Sequence, residues 1–310
     1  MDIEKKKAPI LDPNIKVDRS ALLSSSDSDM KKSIFKCKDH ELEIGGKTYV
    51  MGVLNLTPDS FYDGGRYTDL DKAIFHVEQM IEQGADIIDV GGESTRPGSS
   101  GVTLEEELDR TIPAIKQIKN NFDTIISIDT TKSKVAKEAL LQGASIVNDI
   151  SGLNFDPLIG DVAAEYKAGV ILTHTSSKPI DMQEHTSYES VIEDVIRSLE
   201  HSIHAAKDCG VDDDRIAIDP GFGFGKTAEQ NLTILKNLHE FSKLEKPILI
   251  GTSNKTFIGK TLDADIDSRT EGTAATIAVG ILNGASIIRV HDIAYMSKVS
   301  KMVDAIKNAN

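Results

Sequence analysis

A chain of 310 residues is long enough for two average domains or for one closed barrel of alternating strands and helices. Its formal net charge of −14 argues against a surface that binds nucleic acid, because such a surface needs clustered lysine and arginine. No run of about 18 apolar residues is present, so no contact with a membrane is predicted, and the amino terminus lacks an apolar stretch of signal-peptide length. Two cysteines far apart in sequence, Cys37 and Cys209, favour a reducing cytoplasm over a disulfide framework.

Residues 1–33 have the composition of a disordered extension. They carry three consecutive lysines, two prolines and the polar run SSSDSD, with too few apolar residues to build a core. The next segment, 34–47 with KDHELEIGGK, predicts a short hairpin that closes the bottom of a barrel. The chain is therefore predicted to consist of an extension at 1–33 and one domain at 34–310.

From residue 48 onward, short apolar strands alternate with longer stretches of helical period. The predicted strands are residues 48–54, 86–90, 124–129, 145–149, 169–174, 215–219, 247–251 and 286–290. Glycines that suit the ends of helices precede four of the strands, at Gly84, Gly143, Gly210 and Gly284. Eight similar units, without a G-x-G-x-x-G motif after the first strand, favour a single (β/α)8 TIM barrel over an open α/β sheet.

Polar motifs follow seven of the eight predicted strands, at the rim where barrels of this kind carry their chemistry. They present Asn55, Asp129, Asn148, Asp219, Lys255, Arg289 and His291. Helix capping and turn formation explain single Asp or Asn residues at such places. They do not explain the three basic residues, because cations are disfavoured at helix amino termini. The rim is therefore predicted to be a binding site.

Three of these side chains, Asp129, Asn148 and Asp219, would converge at the mouth of the barrel. Buried together they need a ligand with hydrogen-bond donors, because clustered carboxylates repel and raise one another's pKa. A planar heterocycle with an amino group and ring N–H groups would meet that need. Lys255 would donate to the acceptor edge of such a ring, and Arg289 would stack on it and reach an anion.

The motifs and their order resemble those of the dihydropteroate synthase family. The chain has MGVLNLTPDSFYDGG at 51–65 and GGESTRPG at 91–98. It also has SIDT at 127–130, ND at 148–149, DPGFGFGK at 219–226 and RVH at 289–291. The resemblance covers residues 48–310, and the ordered set is far more specific than any one motif. It implies a transferase of folate biosynthesis on a (β/α)8 barrel.

The resemblance also implies substrates and roles. The enzyme would condense 6-hydroxymethyl-7,8-dihydropterin diphosphate with p-aminobenzoate, giving 7,8-dihydropteroate and diphosphate. The pterin would contact Asp129, Asn148, Asp219, Gly223, Phe224, Lys255 and Arg289. The diphosphate would contact Asn55, Arg289 and His291, and Asn55 would also ligate Mg²⁺. The p-aminobenzoate site would be built from Thr95, Arg96, Pro97 and Thr256.

The implied catalytic residues are Asp63, Lys255 and Arg289. Diphosphate would leave once Mg²⁺, Arg289 and His291 share its charge, and the C–O bond at the pterin methylene would break. Asp63 would stabilise the resulting cation while the aniline nitrogen attacks. The first two rim loops would close to exclude water.

Two positions depart from the family pattern. Where the family usually has Ser-Arg-Lys, this chain has Ser253, Asn254 and Lys255. A missing surface arginine would matter little, whereas a missing pocket arginine would lower substrate affinity. Thr173 replaces a methionine that is usual at the end of the fifth strand, and would make that part of the pterin floor less apolar.

Several polar residues have a structural interpretation beside the functional one. His174 is either a ligand-site residue or a hydrogen-bonded structural histidine, and Asp149 suits the backbone N–H groups of its own loop. Glu93 either orients the second loop or has no specific role. Residues 104–107 predict a helix start after Thr103, with a capping box.

Two other functions stay open from the sequence. A methyltetrahydrofolate:corrinoid methyltransferase shares the pterin-binding barrel but needs neither a diphosphate site nor the ESTRPG loop. A non-catalytic pterin-binding barrel would tolerate Asn254 and Thr173. The family forms dimers, so the resemblance also implies a homodimer, with Ile277 and Ile281 in the segment 274–282 as its predicted face.

Overall fold

The computed structural model describes residues 33–57 and 66–309. The predicted extension lies outside this part of the chain, apart from Ser33, and so does Asp63. The predictions for residues 1–32 and for Asp63 therefore stay predictions.

Eight parallel strands close into a barrel. They are β3 Tyr49–Asn55, β4 Ile87–Gly91, β5 Ile125–Asp129, β6 Ile146–Asp149, β7 Gly169–Thr173, β8 Ile216–Asp219, β9 Ile248–Ile250 and β10 Ala285–Val290. Each strand pairs with the next along the chain, and β10 closes the ring by pairing with both β9 and β3. The predicted (β/α)8 barrel is confirmed, with every predicted strand end within one residue of the observed end.

Helices follow the strands and surround the barrel. They are α1 Arg66–Glu82, α2 Leu104–Asn121, α3 Ser133–Gln142, α4 Leu158–Glu165, α5 Val191–Asp208, α6 Ala228–Lys236, α7 Thr256–Leu262, α8 Thr270–Leu282 and α9 Ile293–Lys307. The predicted capping box at the start of α2 is present: the Thr103 side chain accepts from the Glu106 N–H, and the Glu106 side chain accepts from the Thr103 N–H. None of the helices within 33–57 and 66–309 is long and apolar enough to cross a membrane.

A hairpin closes one end of the barrel, as predicted. Its strands, β1 Ser33–Cys37 and β2 His40–Ile44, pair antiparallel. Phe35 is fully buried and lies against the first residue of β7, where a Cβ added to Gly169 would be 2.8 Å from Phe35 Cζ. The hairpin therefore fills the bottom of the barrel, the end opposite the rim. Cys37 and Cys209 are both free thiols.

The interior of the barrel changes from apolar to polar along the strands. An apolar inner layer at the hairpin end consists of Met51, Ile87, Ile125, Ile146, Ile171, Ala217, Leu249 and Ile287. Side chains of a strand alternate between its two faces, so the residues two positions later also point inward. Those residues include Asp89, Ser127, Asn148, Thr173, Asp219, Gly251 and Arg289. We call this second set, together with Asp129 at the end of β5, the polar layer.

The prediction that Ile277 and Ile281 form a dimer face on α8 is wrong. Ile277 and Ile281 are buried within the chain itself, at 1% and 0% exposure. A Cβ added to the neighbouring Gly280 would be 2.3 Å from Ile250 Cδ1, so this side of α8 lies directly on β9. Apolar residues at a spacing of four on one helix face mark the face toward the core in most barrels.

The hairpin plug can be tested with neighbouring residues of β1. Replacement of the buried Phe35 by alanine (F35A) should lower the free energy of unfolding by about 3–5 kcal/mol, because it leaves a cavity at the bottom of the barrel. Ile34→Ala is the control, since Ile34 is 40% exposed and its loss should change stability by about 0.5 kcal/mol or less. Equal losses in urea unfolding would show that the hairpin does not plug the barrel.

Candidate active site

The centre of the polar layer is an arginine held by two buried carboxylates. Arg289 on β10 donates from Nε to Asp89 Oδ2 at 2.6 Å and from Nη2 to Asp129 Oδ2 at 2.7 Å. Asp89 is fully buried on β4, and Asp129, at the end of β5, is 6% exposed. Charge-assisted bonds of this kind hold the guanidinium in one plane.

This layer keeps acceptor atoms that have no partner. Within the described part of the chain, Asp89 Oδ1 and Asp129 Oδ1 are buried and accept no hydrogen bond. Asn148 on β6 donates from Nδ2 to Asp89 Oδ2 at 3.1 Å. Burial raises the pKa of Asp129, the Arg289 cation lowers it, and the nearby Asp89 charge raises it again. Such a cluster favours a ligand that supplies donors.

Asp219 and Lys255 complete the predicted pterin contacts. Asp219 Oδ1 accepts from the Gly221 N–H at 2.7 Å, and burial raises the pKa of the carboxyl to about 6. Burial, together with the Arg289 cation, lowers the pKa of Lys255 to about 8. Lys255 is at the amino-terminal boundary of α7, but its side chain does not cap the helix. Instead Lys255 Nζ lies 4.3 Å from the centre of the Phe224 ring.

The glycine-rich loop 220–226 is folded around a lysine that sequence reasoning did not single out. Lys226 is 3% exposed, and its Nζ is 2.9 Å from Gly221 O, 3.1 Å from Phe224 O and 2.9 Å from His174 Nδ1. Burial lowers the pKa of Lys226 to about 7 and the pKa of His174 to about 2, so His174 is a neutral acceptor. The structural interpretation of His174 is therefore the one that its hydrogen bond supports.

A cavity of about 430 Å³ opens beside this loop. It is lined by residues of the predicted pterin site and of the predicted p-aminobenzoate site. Its walls include Pro97, Gln183, Gly223, Lys226, Lys255 and Thr256. Pro97 and Thr256 belong to the predicted p-aminobenzoate site, and Gly223 and Lys255 to the predicted pterin site. Thr95 and Arg96 are on the same loop as Pro97 but do not line the cavity.

The loop that carries Thr95 to Pro97 is anchored at its start and at its tip. Lys132, just before α3, binds the carboxylates of Glu93 and Glu107, the latter fully buried and 2.5 Å from Lys132 Nζ. At the tip of the loop, the Gly98 N–H donates to Pro179 O at 2.8 Å. Glu93 therefore orients this loop, which was one of its two interpretations.

The residues predicted to hold diphosphate lie at the same rim. His291 Nδ1 is 3.0 Å from Ser253 Oγ. Loss of surrounding water lowers the pKa of His291 to about 4, helped by the cations of Arg289, Lys255 and Arg96, although part of the residue stays exposed. Asn55 ends β3, and its Oδ1 would be 3.8 Å from a Cβ added to Gly91.

The rim offers few protein ligands for a metal ion. No group of three His, Cys, Asp or Glu residues within 33–57 and 66–309 could hold one. Mg²⁺ commonly keeps several waters and takes one or two protein oxygens together with substrate phosphates. Asn55 Oδ1 fits that second kind of site, in which the substrate supplies most of the ligands.

The two departures from the family pattern have local explanations. Asn254 adopts the left-handed conformation with φ 57°, which asparagine tolerates better than most residues. Its carbonyl accepts from Arg269 Nη1 at 2.9 Å, and the residue does not line the cavity. Thr173 is buried at the end of β7, beside Asp219 in the β7–β8 register. Asp149 accepts from the Ser151 and Leu153 N–H groups, so it serves its own loop, as expected.

Asp219 should make the stability of the protein depend on pH. Its folded pKa of about 6 is above the ordinary value of 3.8, so between these pH values the folded chain keeps a proton that the unfolded chain has lost. The stabilising contribution is therefore complete below pH 3.8 and is lost as the pH rises through 6. The difference in unfolding free energy between Asp219→Asn and the unmodified protein should therefore change with pH. As the pH rises from about 4.5 to 8, it should shift by about 2 kcal/mol in favour of Asp219→Asn. The same difference at both pH values would show that this carboxyl is not perturbed.

Comparison with known proteins places the chain in a family. The family described as "Pterin binding enzyme" matches residues 51–291. A dihydropteroate synthase from Clostridium beijerinckii is 48% identical over 272 residues, which cover 87% of this chain and 98% of that protein.

Solved structures agree. The dihydropteroate synthase from Clostridium difficile, determined in the presence of pteroic acid, superposes with a TM-score of 0.82 at 46% identity, covering 86% of this chain and 100% of that one. The enzyme from Xanthomonas albilineans with 4-aminobenzoic acid gives a TM-score of 0.84 at 35% identity, covering 90% and 100%. With the barrel, the buried polar layer and the rim motifs in place, the chain belongs to the dihydropteroate synthases of the pterin-binding enzyme family.

Proposed function

We propose that the polar layer and the adjoining cavity carry out the dihydropteroate synthase reaction. In this reaction the chain condenses 6-hydroxymethyl-7,8-dihydropterin diphosphate with p-aminobenzoate and releases 7,8-dihydropteroate and diphosphate. The observation that carries the assignment of the site is the set of buried acceptors around Arg289 that have no partner in the described part of the chain. A ring with several N–H donors would satisfy them.

The pterin ring would lie across the polar layer. Asp129, Asn148 and Asp219 would accept from its amino and ring N–H groups, since each has an oxygen that no described donor occupies. Lys255 would donate to the opposite edge, because its Nζ forms no salt bridge with a carboxylate of the described residues and lies over Phe224. Gly223 would let the loop approach, since a Cβ there would be 3.1 Å from Lys255 Cδ.

The diphosphate would extend toward the rim between β10 and β3. Arg289 keeps Nη1 without a hydrogen-bond partner in the described residues, so it would add a charge-assisted bond to a phosphate oxygen. His291 and Asn55 would contact the same group, and Asn55 would contribute an oxygen to Mg²⁺. When bound, the metal would neutralise charge on the leaving diphosphate.

The p-aminobenzoate would occupy the cavity that Pro97 and Thr256 line. The amino end of α7 offers the Thr256 N–H and hydroxyl to the carboxylate. Thr95 and Arg96 would cover the ring from the anchored loop. The amine would then face the methylene of a pterin seated on Lys255 and Gly223, which line the same cavity.

In the chemical step the C–O bond of the pterin methylene breaks and its electron pair leaves with the diphosphate. Arg289 stabilises that leaving group, Lys255 holds the ring in register, and Asp63 is assigned to the cation that develops on the methylene. The aniline nitrogen forms the new C–N bond, and the released diphosphate accepts the proton that this nitrogen loses. Exclusion of water would protect the cation from hydrolysis.

We also propose a homodimer in the cytoplasm. With Ile277 and Ile281 buried, the exposed apolar side chains of α8 and α9 support the association instead. They include Val279, Leu282, Met302 and Ile306. Two free thiols support a reducing compartment.

Turnover separates this function from a methyltransferase and from a non-catalytic barrel. With the pterin diphosphate, Mg²⁺ and p-aminobenzoate, the chain should release one diphosphate for each 7,8-dihydropteroate detected by mass. No dihydropteroate should form when the metal is chelated or when p-aminobenzoate is left out. Tight pterin binding without any product would contradict the proposed function.

Replacement of Arg96 and of Arg289 by alanine should affect different kinetic constants. Arg96→Ala should raise the KM for p-aminobenzoate and leave the KM for the pterin diphosphate nearly unchanged. Arg289→Ala should weaken the pterin diphosphate and lower kcat, because it removes a charge-assisted contact to the leaving group.

The control for these two variants is Arg197→Ala on the exposed side of α5, which should leave both KM values unchanged. Equal effects of Arg96→Ala on the KM values of the two substrates would contradict the division of the site. The comparison is a demanding one, because the charge of Arg96 also acts on His291, which is assigned to the diphosphate.

A further inference from the structure

Asp89 is a buried carboxylate to which no ligand contact has been assigned. It is in the middle of β4 and fully buried. One of its oxygens, Oδ2, accepts from both Arg289 Nε at 2.6 Å and Asn148 Nδ2 at 3.1 Å. A single carboxylate oxygen therefore contacts two residues assigned to the pterin.

The hydrogen bond between Asp89 and Asn148 determines which end of the Asn148 carboxamide is available to a ligand. An asparagine side chain can present either two N–H donors or a carbonyl acceptor. Because Asp89 accepts from Nδ2, the other end of the carboxamide, Asn148 Oδ1, has no hydrogen-bond partner in the described part of the chain. Asn148 is thereby made an acceptor toward the ligand.

The contact with Arg289 decides which part of the guanidinium is available. Asp89 occupies Nε and Asp129 occupies Nη2, so Nη1 is the nitrogen left without a partner among the described residues. Two bonds to two carboxylates also stop rotation of the guanidinium plane. The free donor of Arg289 thus has one direction.

The arrangement is poorly suited to stability alone. Asp89 Oδ1 is buried and accepts no hydrogen bond within residues 33–57 and 66–309, and an unmatched buried acceptor destabilises the folded state. Its fellow carboxylate on β6, Asp149, has both oxygens occupied by donors of its own loop. The comparison points to a role for Asp89 in the site.

We propose that Asp89 is a positioning residue that sets the donor and acceptor polarity of the pterin site. By orienting Asn148 as an acceptor, it selects a ring with an amino group at that edge over the same ring with an oxo group. The proposal rests on the proposed function, because it assumes that Asn148 contacts the ring. It adds a determinant of ring specificity that touches no substrate.

The test compares two ligands that differ at one edge. 6-Hydroxymethylpterin carries a 2-amino group, and 6-hydroxymethyllumazine carries an oxo group in its place. Calorimetry on the full chain should show a preference for the pterin. In Asp89→Ala the ratio of the two affinities should fall by about tenfold or more, because the Asn148 carboxamide is free to turn.

A double variant shows whether Asp89 acts through Asn148. If it does, Asp89→Ala combined with Asn148→Ala should have the same ratio as Asn148→Ala alone. Asp149→Ala is the matched control for loss of a buried carboxylate; it should lower the melting temperature and keep the ratio. A charge-conserving exchange, Asp89→Asn with Asn148→Asp, protects the test against misfolding of the alanine variant and should restore pterin preference.

The contradicting results are distinct. The positioning role would be overturned if Asp89→Ala lowered the affinities for both ligands equally. It would also be overturned if the double variant changed the affinity ratio by the product of the two single effects. Either result would leave the proposed function intact. A native chain without preference for the pterin would overturn the proposed function and this inference with it.

Discussion

The position of one guanidinium organises the mouth of this barrel. Arg289 reaches Asp89 and Asp129, which are 200 and 160 residues away along the chain, and joins β10 to β4 and β5 across the interior. Closure of the barrel is what makes this contact possible, because β10 pairs with β3 and so lies close to the strands that follow it. Two carboxylates around one cation leave oxygens that no donor within the described residues occupies, and a ligand with N–H groups would satisfy them.

The rest of the site follows from that imbalance. Buried acceptors without partners reduce stability, and enzymes retain such features where binding requires them. The raised pKa of Asp219 and the lowered pKa of Lys255 have the same origin, since burial disfavours the charged form of each. The hairpin plug and the apolar lower layer supply the stability that the polar layer lacks.

Much of this was accessible from the sequence because strands and rim follow simple periods. Polar residues at strand ends predicted the side chains around Arg289. Asp89 was missed because it stands inside an apolar strand, where its role depends on contacts across the barrel that no local pattern encodes. The contact between Lys226 and His174 was missed for a similar reason, because it joins residues that are far apart in the sequence. The error at Ile277 came from assigning to a partner an apolar face that the barrel itself covers.

The central claim is that the buried carboxylates keep oxygens without a hydrogen-bond donor until a pterin binds. Carbon-13 NMR of labelled aspartate side chains, titrated with and without 6-hydroxymethylpterin, measures this directly. The account predicts a pKa near 6 for Asp219 in the free protein and a lower pKa for both Asp219 and Asp129 in the complex, because ring N–H donors stabilise the carboxylates. An ordinary pKa in the free protein, or no change on binding, would contradict it.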